Sequence, residues 1–163
     1  MASQSESGIA TRPATLGDIP EIVGILGAYR EKLARWSPQF WRPAPGSAAM
    51  TTMYLGSLVG KKEHIFLVAE EAGAVIGFAL ALETPAPPVY APGDTGTLDD
   101  FALSDDDRWE EVAGALLAAI MRNAKKLGWK QLIAVSPKAD GLKNRLLEEA
   151  GLVVASQWWT MKL

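Results

Sequence analysis

Apolar residues Trp109, Val112, Ala113, Leu116, Leu117, Ile120, Met121 and Ala124 fall on one stripe of a 3.6-residue period, and Gly128 stops the run. This predicts a long amphipathic helix over Trp109 to Leu127, which must lay its stripe on another element. Thr97 to Leu103 before it reads as a strand, and Lys130 to Val135 after it reads as a short apolar strand of the kind buried in a sheet centre. A strand, a helix and a strand in that order imply a right-handed crossover and parallel pairing. The acidic turn that feeds the helix, Ser104 to Gly114, lies at the carboxyl end of a strand, where ligands of open sheets usually bind.

The rest of the chain supplies a first strand at Ile9 to Pro13 and a helix that follows it. Thr15 and Asp18 have the spacing of a capping box, Pro20 is tolerable in a first turn, and Ile19, Ile22, Val23, Ile25, Leu26, Tyr29 and Leu33 repeat at helical spacing up to Trp36. Pro38, Pro43 and Pro45 break regular structure, and Ala48 to Val59 reads as a second helix. His64 to Glu71 and Ala74 to Glu83 read as a hairpin around Glu71-Ala72-Gly73. Thr84 to Gly96, rich in Pro and Gly, is loop. Lys138 to Ala150 is helical, Gly151 stops it, and Leu152 to Leu163 is expected to form a last strand. Trp158 and Trp159 point to opposite faces of that strand, so at least one belongs to the core and the other is available as a dimer contact. The fold class expected is α/β (α+β), a single domain with a mixed, mostly antiparallel central sheet flanked by helices.

A chain of 163 residues with 48% hydrophobic content suits one domain, taken as 9–163 behind a small, polar, disordered tail at 1–8. The absence of cysteine excludes disulfides, thiolate nucleophiles and cysteine-ligated zinc, and a single His64 excludes a histidine-rich metal site. His64 itself reads as structural. A net charge of −3 gives no general attraction to nucleic acid or anionic lipid. No secretory signal and no run of ~20 apolar residues is found, so a cytoplasmic location is expected by default.

At Ser104 to Gly114 a strand end enters the first turn of a helix, where free N–H groups and the helix dipole favour an anion such as a pyrophosphate. The element order, together with Leu98-Asp99-Asp100-Phe101-Ala102-Leu103, Arg108-Trp109-Glu110-Glu111-Val112-Ala113 and Leu116-Leu117, resembles the GNAT superfamily of acetyl-CoA-dependent N-acetyltransferases. Arg108 and Ala113 match the first and last positions of that family's Gln/Arg-x-x-Gly-x-Gly/Ala loop, and the likeness runs from Ile9 to the C-terminus. Two positions depart from the family: Glu111 replaces the middle glycine, and Leu147 replaces the tyrosine that many members use as a general acid.

The resemblance implies acetyl-CoA as co-substrate, no metal, and direct attack by the primary amine of a small-molecule acceptor. The pantetheine arm would pair along Asp99 to Leu103, that is beside Phe101, Ala102 and Leu103, and the pyrophosphate would meet the N–H groups of Trp109, Val112, Ala113 and Gly114. Arg108 and Lys143 would assist, and Asp140 falls where many members carry Asn. Glu111 lies almost opposite the apolar stripe, so its side chain is expected in solvent. Asp105, Asp106 and Asp107 read as helix caps. Asp99, then Asp100, is the candidate base; alternating strand geometry places the two on opposite faces, and the other reading is that both are paired or solvated. Tyr90 is the candidate general acid, Glu83 a further acid near the cleft, and Trp36, Phe40 and Trp41 a candidate aromatic wall for the acceptor, unless they are satellite packing around prolines. Two other readings stand beside the enzyme: a catalytically degenerate acyl-CoA-binding or regulatory domain, and a dimerising structural module.

Overall fold

The computed structural model describes residues 8–163. The expected tail lies outside the described residues except for Gly8.

The chain begins with β1 (Ile9–Pro13), whose last residues lead into a 3-10 turn (Leu16–Asp18) and then α1 (Ile19–Trp36). The capping spacing predicted at Thr15 is realised: the Asp18 carboxylate accepts from the Thr15 N–H at 2.7 Å and from its hydroxyl at 2.8 Å. After the proline-rich segment comes α2 (Ser47–Leu58), then the hairpin of β2 (Ile65–Glu71) and β3 (Ala74–Glu83). Ala72 and Gly73 at its tip both have positive φ, 50° and 82°, the two-residue conformation whose twist matches the flanking strands.

Next is β4 (Thr95–Leu103), two residues longer at its start than expected because Gln131 and Leu132 pair there. The predicted long helix is realised in two pieces, with a short turn ahead of them. A 3-10 turn (Asp106–Arg108) and a π turn (Trp109–Ala113) precede α3 (Gly114–Lys126). Then follow β5 (Gln131–Ala134) and α4 (Gly141–Glu149), which starts later than Lys138 because Asp140 caps it by accepting from the Lys143 N–H at 3.0 Å.

The five strands lie in the order β1-β2-β3-β4-β5, antiparallel except for the parallel β4–β5 pair, so the mixed and mostly antiparallel sheet is as expected. Alternation along the strands builds two cores. On one face Ile22, Leu26 and Leu55 of α1 and α2 cover Phe66, Val68, Phe78, Leu80 and Ala102. On the other, Leu116, Leu117 and Ile120 of α3 and Leu147 of α4 cover Leu67, Ala79, Phe101 and Leu103. Leu147, where the resembling family has its tyrosine, is thus a core residue. No helix among the described residues is long and apolar enough to cross a membrane.

The last strand is not formed. Gly151, at φ 88°, turns the chain out of α4, and residues 152–163 follow without a ladder partner. A strand needs a neighbour to take its N–H and C=O groups, and none is presented to this segment among the described residues. Both tryptophans are consequently exposed, Trp158 at 82% and Trp159 at 86%, which corrects the expectation that one is core. Trp158 makes an edge contact with Phe40 at 5.8 Å between ring centroids.

Candidate functional site

The site arises where β4 and β5 part. Their pairing runs from Thr95–Gln131 to Leu98–Ala134 and ends with the Val135 N–H donating to the Leu98 carbonyl at 2.9 Å. Beyond that rung the β4 edge from Asp99 to Leu103 has no strand on that side among the described residues. Such an edge can accept an extended ligand as if it were another strand.

A cavity of about 500 Å³ opens beside this wedge. Tyr29, Arg30 and Leu33 of α1, Met50, Thr51 and Tyr54 of α2, Asp99 and Asp100 of β4, Val135 and Pro137 after β5, and Lys143 of α4 line it, with Phe40 and Trp41 at the rim. The two aspartates share the cavity, contrary to the expected opposite faces. Leu80 of β3 pairs with Asp100 while Ala81 pairs with Leu98, so Asp99 is an extra residue in a β-bulge and the strict alternation is broken there. Burial, reinforced by the neighbouring Asp99 charge, raises the Asp100 carboxyl above its ordinary pKa.

At the floor lies a buried polar cluster. Lys143 is 1% exposed; its Nζ donates to the Tyr29 hydroxyl at 2.7 Å, and that hydroxyl donates to Asp140 Oδ2 at 2.7 Å. Lys143 Nζ is 3.9 Å from Asp140 Oδ2 and 5.8 Å from the Phe101 ring centroid. Desolvation lowers the Lys143 pKa to about 8 against the pull of Asp140, Asp100 and Asp99, while it raises that of Tyr29. Asp140 and Lys143, both expected at the cofactor, therefore meet each other and Tyr29 in the interior.

In the loop before α3, Arg108 donates to Glu71 at 2.6 and 3.0 Å and to Glu111 Oε2 at 2.9 Å. Glu111 is exposed as expected, with its carboxylate on Arg108. The Arg108 guanidinium is thus engaged by two carboxylates. Asp105 caps the turn by accepting from the Asp107 N–H at 2.9 Å, and Asp106 pairs with Lys32. Trp109, Val112 and Ala113 are buried, and the Gly114 N–H is bonded back to the carbonyls of Glu110 and Glu111. A smaller cavity of about 160 Å³ lies at this turn, against Ile76, Ser104, Asp105, Arg108 and Val112.

Tyr90 is 70% exposed in the loop before β4 and does not line the large cavity. Glu83 is exposed at the end of β3, where its N–H donates to His64 Nδ1 at 3.2 Å, and it also stands outside the cavity. Trp36 packs edge-on against Tyr29 at 6.4 Å behind the rim, which leaves Phe40 and Trp41 as the aromatic wall. Tyr29 was legible only as an apolar-stripe residue, and Arg30 carried no signal, because only the docking of α1 against β4 brings them to the aspartates.

The same fold is found in solved structures, several of them acetyltransferases. A ribosomal-protein-alanine N-acetyltransferase from Brucella melitensis biovar Abortus 2308 aligns with TM-score 0.65 and 19% identity over 95% of this chain and 99% of its own. A predicted acetyltransferase with acetyl-CoA from Clostridium acetobutylicum aligns at 0.71 and 19%, over 94% and 96%. The tetramutant of the BH1408 protein from Bacillus halodurans aligns at 0.81 and 15%, over 94% and 99%. No family model matches the chain, and no curated protein matches it significantly. The chain shares the fold of these structures over nearly its whole length.

Proposed function

We propose that the protein is an N-acyltransferase that moves the acyl group of an acyl-CoA, acetyl-CoA first, to the primary amine of a small molecule. The observation that carries this reading is the parting of β4 from β5 directly beside a cavity holding two carboxylates. The free edge of β4 suits the amide-bearing pantetheine arm, and the aspartates suit an amine that arrives as a cation. Phe40 and Trp41 at the rim suit an acceptor with an apolar body. Among the two carboxylates, Asp100 has its proton affinity raised by burial and by the Asp99 charge, as suits a base, and Asp99, more exposed, is suited to draw in the ammonium. Attack is direct, since the reaction needs a neutral amine and a polarised carbonyl and no protein nucleophile.

The test is a calorimetric titration with acetyl-CoA followed by thiol release against a panel of amines. Saturable heat and amine-dependent thiol release are expected; no heat at millimolar acetyl-CoA overturns the reading. The tie of Arg108 to Glu71 and Glu111 favours a second reading, an acyl-CoA-binding regulatory domain without turnover. Heat without thiol release from any amine selects it.

A further inference from the structure

Acyl transfer from a thioester moves two protons, and the aspartates deal with only one of them. The nitrogen must lose a proton as it becomes an amide, and the departing thiolate must gain one. Leu147 is buried in the core and Tyr90 is exposed outside the cavity, so neither position offers an acid to the thiolate.

Resting on the acyltransferase reading, we propose that Lys143 is the proton donor to the leaving thiolate, with Tyr29 and Asp140 holding its ammonium in place. Its position comes from the first turn of α4, behind the Asp140 cap, which directs the side chain into the wedge that β5 leaves beside β4. Nζ stands 5.8 Å from the ring centroid of Phe101, a residue of the unpaired β4 stretch. Lys143 therefore lies near a side chain of the strand edge along which a pantetheine thioester would lie.

A comparison with the two phenols that line the cavity reaches the same residue. The Tyr29 and Tyr54 phenols are made weaker acids by burial and by the nearby aspartates. Lys143 moves the other way, to about 8, close to the ~8.5 of a free thiol, so transfer to a thiolate is nearly balanced. The groups that face Nζ are Tyr29 from α1, Asp140 from the α4 cap, and Asp99 and Asp100 from β4, with Arg30 acting on Asp100.

The arriving ammonium first gives up one proton to solvent; in the step, the neutral amine so formed makes the C–N bond as the C–S bond breaks. The nitrogen's proton goes to Asp100, the sulfur takes the electron pair of the broken bond and a proton from Lys143, and free thiol leaves. Solvent exchange then returns one proton from Asp100 to Lys143, so nothing beyond the acyl thioester and the amine is consumed.

The experiment is a kcat-against-pH profile of the wild-type protein and of Lys143→Met with acetyl-CoA and a turned-over amine, with acetyl-CoA affinity measured by calorimetry. The wild-type rate should fall as pH rises through about 8. In Lys143→Met that alkaline limb should vanish and kcat drop on the order of a hundredfold, with affinity changed less than about threefold. A wild-type profile flat to pH 10, or a variant keeping the limb, overturns the assignment even though acyl transfer stands. Absence of acetyl-CoA binding by the wild type overturns both. A readout independent of turnover is the urea unfolding free energy of the unliganded protein. It should rise between about pH 8 and 10 in the wild type, where the unfolded lysine keeps a proton the folded one has lost, and the rise should be missing in Lys143→Met. A variant too unstable to purify leaves the wild-type profile as the deciding measurement.

Discussion

Asp18, at the start of α1, and Asp100, within β4, are both carboxylates, yet their surroundings push them in opposite directions. Asp18 accepts from Arg12 at 2.7 and 2.9 Å and from the Thr15 N–H, which holds it well below the usual carboxylate range. Its contribution is complete above the unfolded pKa of about 3.9 and is lost as pH falls below that. Asp18→Asn should therefore cost roughly 1.5 to 3 kcal/mol at pH 7, with the gap to wild type narrowing in acid, measured by urea unfolding. Asp100 has its pKa raised, so its ionisation opposes folding as pH rises above the unfolded value. Asp100→Asn should unfold no more easily than wild type at pH 7, and should lower acyl transfer at least tenfold, a trade common at active sites. The Thr15 and Asp18 spacing was legible in the chain because capping is local. The Arg12 partner was not, since it reaches Asp18 only after β1 pairs with β2 and α1 folds over them.

At the level of elements, the helix stripe, the hairpin and the crossover were readable because each depends on local periodicity and turn chemistry. Two features were not. The bulge at Asp99 depends on the register against β3, which alternation within β4 alone does not encode. The π turn at Trp109–Ala113 seats buried Trp109 against Phe101, at 5.4 Å between centroids, and that demand comes from the sheet beneath it. Close packing also fixes β4 at its start. A Cβ on Gly96 would stand 1.9 Å from the Trp129 ring, so Gly96→Ala must displace the indole that covers this rung of the β4–β5 pair. The expected cost is about 1 to 3 kcal/mol by urea unfolding, with a shift in tryptophan emission. The same substitution at Gly24, where nothing lies within 4 Å, is the control.

Across the whole molecule, the order of elements was legible from end to end except for the final segment, whose Val153-Val154 and Trp158-Trp159 pairs suggest a strand but find no ladder. Because Val153, Val154, Trp158, Trp159 and Met161 are all more than two thirds exposed, deleting residues 156–163 should move Tm by no more than about 4 °C. Sedimentation of the intact and shortened chains reports whether those tryptophans hold a second copy. The cavity was less legible than the sheet, since a pocket built from α1, α2, β4 and α4 has no signature in any one of them. The rung between Leu98 and Val135 has a further consequence for how the protein breathes. Below it the two strands protect one another's amides. Above it, the amides of Asp99 to Leu103 that face away from β3 have solvent in place of a neighbouring strand, so hydrogen exchange there becomes a direct gauge of whether anything has taken the missing strand's place.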